Sequence, residues 1–262
     1  MKWLVGMMLG FAVMPALSAE WTANAEVEAL FDRAGVTGTF VLYEPDDDSL
    51  VGHNEPRART RFVPASTFKI PNSLIGLATG AVASVDTVLP YGGQPQPYPA
   101  WERDMGLRDA IAISNVPIYQ ALARRIGLER MQAWVAKLGF GNEDIGTVVD
   151  RFWLDGPLAI SAVEQTKFLA RLAGSDLPVS EEIQASVREI VLLDEGDDWR
   201  LYGKTGWENA PDPGVGWWVG WVEKDDRVYA FALNMAMQAD TDPDVRIELG
   251  RACLEALGVL SP

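Results

Sequence analysis

The chain has one histidine and one cysteine in 262 residues. A Ser-His-Asp triad or a Cys-His pair would have to use His53, which falls at the expected end of a hairpin strand. One histidine and one cysteine also exclude an ordinary zinc site. The lone Cys253 has no partner for an internal disulfide. It sits in an apolar helical pattern, "IELGRACLEALGVL", and reads as a buried structural thiol. No glycine-rich phosphate loop follows a strand. Cations are scarce: 22 Lys and Arg stand against 37 Asp and Glu, a net charge of -15. Such a surface repels nucleic acid and anionic lipid. Screening beyond about 8 Å leaves local cations in control of any pocket. Long apolar runs are absent except at the N-terminus, where "WLVGMMLGFAVM" (3–14) lies between Lys2 and Pro15. With the small residues of "ALSA" it reads as a secretory signal, cleaved after Ala19, with Ala25 as a second candidate. The expected product is secreted and periplasmic, with no membrane attachment after cleavage.

What is present is ordinary globular composition, 48% hydrophobic and 23% charged. After the leader, "NAEVEALFDRAG" predicts a helix closed by Gly35. "GTFVLYEPDDDSLVGHNE" (38–55) predicts a β-hairpin. From Gly80 to about Leu193 the pattern is helical, with segments at 107–114, 117–127, 128–139 and 161–174. The last opens on a Ser161/Glu164 capping box. Residues 199–206, 216–223 and 227–235 then predict consecutive antiparallel strands, with a turn at 224–226. Asp242 and Pro243 are expected to open a final helix. Strands at both ends and helices between predict an α+β fold. An antiparallel sheet is flanked by helices, with an inserted helical subdomain and a cleft where the lobes meet. The boundaries expected are a signal at 1–19, a sheet lobe at about 20–62 and 195–262, and a helical lobe at about 63–194. Trp217, Trp218 and Trp221 on one strand are assigned to the core on both sheet faces.

With His53 set aside, hydrolysis needs another base, and "FVPASTFKIPN" (62–72) offers one. If Ser66 starts a helix, Lys69 lies on the same face one turn on. Phe62, Val63, Phe68 and Ile70 supply apolar surroundings, and desolvation favours the neutral amine. Pro71 requires the helix to start late or to kink. An S-x-x-K alone is common. "KTG" (204–206) supports it: Lys204 and Thr205 suit a substrate carboxylate, and Gly206 lets a substrate backbone lie against the strand. "SNV" (114–116) adds Ser114, either a proton relay or an N-cap before Pro117.

The ordered trio S-x-x-K, S-x-[NV] and K-T-G is that of serine β-lactamases and penicillin-binding proteins, and the S-N-V form points to class D. With "PASTFKIPNSLIGL", "ISNVPIYQ", "FWLDGPLAIS" and "KTGW", the mature chain resembles class D β-lactamases, the oxacillinase type. One departure is "FGN" (140–142), where that family usually has Tyr. The resemblance implies that Ser66 is the nucleophile and Lys69 an N6-carboxylated base, formed with carbon dioxide and without metal or other cofactor. It implies that Ser114 relays a proton, tuned by Lys204, and that the N–H groups of Ser66 and Trp207 form the oxyanion hole. Trp153 would donate to the carbamate, shielded by Val116 and Leu154. Thr205, Gly206 and Arg246 would bind substrate. The partner implied is a small β-lactam, the assembly a monomer or homodimer. A sensor or penicillin-binding protein that is acylated without efficient turnover would share the trio.

Overall fold

The computed structural model describes residues 19–208, 213–238 and 240–261. The signal reading at 1–18 lies outside them. Seven strands form one sheet: β1 (Glu20–Ala23), β2 (Gly38–Glu44), β3 (Ser49–His53), β4 (Leu192–Glu195), β5 (Trp199–Glu208), β6 (Gly214–Lys224) and β7 (Arg227–Met237). Their spatial order is β1-β3-β2-β7-β6-β5-β4. Every pairing is antiparallel except β1 with β3, so the sheet is mixed at one edge rather than purely antiparallel. The turn between β6 and β7 narrows to Asp225 and Asp226, both at positive φ. That is the twist a two-residue hairpin needs.

The helices are α1 (Ala25–Ala34), α2 (Glu55–Ala58), α3 (Lys69–Ala78), α4 (Leu107–Ala112), α5 (Val116–Ile126), α6 (Leu128–Leu138), α7 (Ala162–Ala173), α8 (Glu181–Ile190) and α9 (Val245–Ala256). Gly35 caps α1 in the left-handed conformation, and Ser161 with Glu164 closes the capping box of α7. The final helix starts two residues later than expected. Asp244 is its N-cap residue, while Asp242 Oδ1 accepts from the Asp244 N–H at 2.9 Å. Asp242 therefore makes a local turn before the helix, a competition open to any short acidic side chain near a helix start.

Alternation along β6 splits the core in two. Trp217, Val219 and Trp221 face Phe68, Leu74, Tyr119 and Phe152 of the helical side. Trp218 and Val222 face Phe31, Leu254 and Cys253 of α1 and α9. The three tryptophans are core on both faces, as expected. Cys253 is buried, and burial pushes its thiol up to about 12. The short elements β1, β4 and α2 are not anticipated by the sequence pattern, and α8 falls inside the stretch expected to be helical without bounds of its own. β4 is exposed along its whole length and carries no buried alternation to read.

Candidate active site

The site begins in a strained turn. Residues Ala65–Phe68 form a 3₁₀ turn that runs directly into α3. Ala65 has φ 48°, a left-handed conformation that costs a non-glycine residue roughly 1 kcal/mol or more. The surroundings fix it. Thr67 Oγ1 donates to Pro64 O at 2.8 Å, Gln165 Nε2 to Thr67 Oγ1 at 2.8 Å, and Trp217 Nε1 to Val63 O at 2.9 Å. Pro71 falls in the first turn of α3, where its missing N–H breaks no helical bond. The helix thus starts late, one of the two outcomes the proline allowed.

Ser66 Oγ and Lys69 Nζ are 2.6 Å apart. Lys69 is 0% exposed, and its ammonium has no carboxylate partner among the described residues. Its pKa falls well below the ordinary lysine value, first through burial and then through the charge of Lys204. A buried amine in that state is a base in contact with a hydroxyl. The Tyr119 ring lies 5.5 Å from Lys69 Nζ, and Ser73 Oγ joins Lys69 O to Tyr119 Oη at 2.8 Å each.

Ser114 is the second strained position, at φ 56°. It is not the cap of α5. Asn115 is, with Oδ1 accepting from the Ile118 N–H at 3.1 Å and Nδ2 donating to Trp101 O at 3.2 Å. The bland reading of Ser114 therefore passes to its neighbour, and the Ser114 side chain faces the cleft.

β4 pairs with β5 only as far as Tyr202, apart from one bond from Gly203 N to Val191 O. The stretch Lys204–Glu208 is left without a neighbouring strand on that side. Lys204 is 6% exposed and its Nζ donates to Thr205 O at 3.1 Å. Burial and the nearby Arg246 charge lower its pKa to about 7. No hydrogen bond joins it to Ser114. Gly206 has a structural reason as well. A Cβ there would stand 2.9 Å from Pro64 O and 3.1 Å from Thr67 Cγ2, so the glycine admits the Ser66 turn against the strand. Arg246 is buried, donating to Gly206 O at 2.6 Å and to Pro243 O at 2.7 Å, with its pKa lowered by burial. It is no solvated helix residue.

Ser66, Ser114, Thr205, Gly206, Trp207 and Arg246 line one cleft of about 770 Å³, and Val116 and Leu154 close it nearby. Behind it lie Lys69, Lys204 and Trp153, all buried. His53 stands four strands from β5, on the order of 19 Å away, and stacks on Phe31 at 4.9 Å. Trp153 packs on Phe68 with ring centroids 5.6 Å apart, and its indole N–H is buried without an acceptor.

Comparison with known proteins agrees with this geometry. A family model described as the penicillin binding protein transpeptidase domain matches residues 38–255. Beta-lactamase OXA-48 of Klebsiella pneumoniae is 43% identical over 224 residues, 86% of this chain and 84% of that one. Beta-lactamase OXA-5 of Pseudomonas aeruginosa is 38% identical over 257 residues, 97% and 96% of the two chains. The crystal structure of FUS-1 (OXA-85), a class D β-lactamase from Fusobacterium nucleatum subsp. polymorphum, matches with a TM-score of 0.88 and 42% identity. It covers 92% of this chain and 100% of that one. The chain belongs to the class D β-lactamases.

Within this class D chain, Phe140 takes the place expected of Tyr. It is buried and meets Phe68 and Phe168 edge-on at 5.6 and 5.0 Å. The aromatic packing under the Ser66 turn is therefore kept without a hydroxyl. Sequence reasoning missed Trp217, Gln165 and Tyr119 as supports of that turn and its lysine. The Trp217 bond to Val63 spans 154 residues and leaves no local signal. Asn115 was findable, since an Asn two residues before a proline is a strong cap pattern.

Proposed function

We propose that this chain hydrolyses β-lactams through a covalent ester on Ser66, with Lys69, carboxylated on its side-chain nitrogen, as the base of both half-reactions. The observation that carries the carboxylation is the Trp153 indole N–H. It is a donor only, buried and without an acceptor, in the aromatic shell of the Ser66–Lys69 turn. An unmet buried donor costs roughly 1–3 kcal/mol, and an anionic group on Lys69 would remove that cost. The depressed pKa of Lys69 keeps the amine neutral, the form that adds to carbon dioxide. That reaction releases a proton and leaves a carbamate, whose oxygens accept protons.

The remaining roles follow from position. The Ser66 hydroxyl proton has a base within reach at Lys69. Ser66 Oγ bonds to the lactam carbonyl carbon, and the ring C–N bond breaks. The Ser66 N–H lies in the first turn of its helix and has no helical acceptor. With the Trp207 N–H it stabilises the developing oxyanion. Ser114, on the opposite wall of the cleft's floor, gives a proton to the departing nitrogen. Thr205 and Arg246 hold the substrate carboxylate, with Lys204 supplying positive charge beneath. Water, activated at Lys69, then cleaves the ester and frees Ser66. Val116 and Leu154 limit access of bulk water to the base. On this reading the enzyme is secreted to the periplasm, its leader cut between Ala19 and Glu20. That cut is supported by β1, which begins at Glu20 and would be lost by cleavage after Ala25.

The test is a turnover count. Pure protein mixed with a thousandfold excess of benzylpenicillin should consume all of it. Consumption of one equivalent followed by silence would mark an acylated sensor or penicillin-binding protein instead.

A further inference from the structure

The mouth of the cleft carries a charge that the hydrolytic machinery does not use. Glu208, the last residue of β5, lines it. Among the described residues its carboxylate has no ion pair and no hydrogen bond, and the adjoining residues 209–212 (Asn-Ala-Pro-Asp) contain no cation. Asp155, across the mouth in the loop after Trp153, also lines the cleft. Its one partner is Arg151, four residues away at 2.5 Å, in a pair exposed on both sides. The three groups sum to one negative charge. Burial and then the Asp155 charge raise the Glu208 pKa. The same cleft is lined by Tyr98 and Trp101, edge to face at 4.8 Å, with Tyr98 largely exposed. The Trp101 indole is anchored to Ile113 O at 3.1 Å. An aromatic face attracts cations and is indifferent to anions.

Position along β5 says which part of a substrate meets these groups. Thr205 and Arg246 take the ring carboxylate in the function proposed above. Glu208 lies three residues further along the unpaired edge, about 10 Å at strand rise. That is the reach of the amide side chain of a bicyclic β-lactam lying along the strand. We infer that Glu208 and Asp155, with the Tyr98–Trp101 pair, form a subsite that selects β-lactams whose amide side chain carries a positive charge and rejects those with a negative one. This inference rests on the β-lactamase reading and adds a charge preference to it.

The experiment compares kcat/KM for benzylpenicillin, its α-amino derivative and its α-carboxy derivative at low ionic strength. In the wild type the α-amino compound should exceed the α-carboxy compound by about tenfold. Each rim carboxylate contributes up to about fivefold, the upper range for a partly exposed ion pair. Glu208→Gln, which leaves the neutral Asp155–Arg151 pair, should bring the ratio of the two charged substrates towards one, mainly through KM. Glu208→Lys should invert it. The ratio is read on one enzyme preparation, so loss of folded protein cancels. Salt at 0.5 M should shrink the wild-type ratio, because the Debye length falls to about 4 Å. A ratio unchanged in both variants, with all three penicillins still turned over, overturns the subsite alone. Failure of the wild type to turn over any of the three overturns the β-lactamase reading beneath it.

Discussion

Lys69 is a buried cation made into a base by having nowhere to put its charge. Its neighbours are a hydroxyl at 2.6 Å, an aromatic ring and a second buried lysine, and none carries a negative charge to offset an ammonium. That much was legible in the sequence: S-x-x-K puts the two groups one turn apart, and the flanking Phe and Ile residues announce burial. The role of Lys204 in lowering the Lys69 pKa was not legible, because 135 residues separate them and only the sheet brings them close. The two lysines should cost the fold stability. Lys204 titrates near 10.5 in the unfolded chain and at about 7 when folded. Between those values the unfolded state binds the extra proton, so stability rises with pH there, and the cost is full below pH 7. Lys204→Met should therefore be inactive yet melt roughly 5 °C or more above the wild type at pH 6 to 7. The gain should shrink steadily as pH rises from 7 towards 10. Melting curves across that range check it; a gain that grows with pH would contradict the buried-cation account.

At the scale of elements, the pattern of apolar residues located the hairpin, the helices of the insertion and the three C-terminal strands, because each carries a buried face with a clear period. It did not locate β1 or β4, which are four residues long at the sheet edges. It also left unread two roles that lie between elements. Asn115, not Ser114, caps α5, and Gly206 serves the contact between β5 and the Ser66 turn. The second has a measurable consequence. Gly206→Ala places a methyl group against Pro64 O and Thr67 Cγ2, and neither is the free end of a flexible chain. The turn must move away from the strand, costing about 1–3 kcal/mol of stability. Because Ser66 and the Trp207 N–H must act on one carbonyl, kcat should fall by at least about 100-fold. If Gly206 served only substrate fit, KM would rise while kcat and the melting temperature held. Steady-state kinetics with a thermal melt separate the two.

The whole molecule is a sheet with a core on each face, and the cleft opens where the helical side meets the free stretch of β5. α9 ties the faces together: Cys253 and Leu254 pack under Trp218, while Arg246 on its first turn crosses to Gly206 O. Net charge of -15 surrounds a cleft whose floor holds Lys204 and Arg246, so the positive field is confined to the place where an anion must bind. The reaction proposed for that floor depends on one chemical state of one nitrogen. Carbon-13 NMR of the protein in labelled bicarbonate tests it most directly. One carbamate resonance should appear in the wild type and be missing in Lys69→Ala, which should also lose about 1,000-fold or more in kcat/KM. Signal and activity should vanish together as acid protonates the amine, and both should return with bicarbonate at neutral pH. A fully active wild type without the resonance, or a Lys69→Ala variant that turns over at the wild-type rate, would contradict the account.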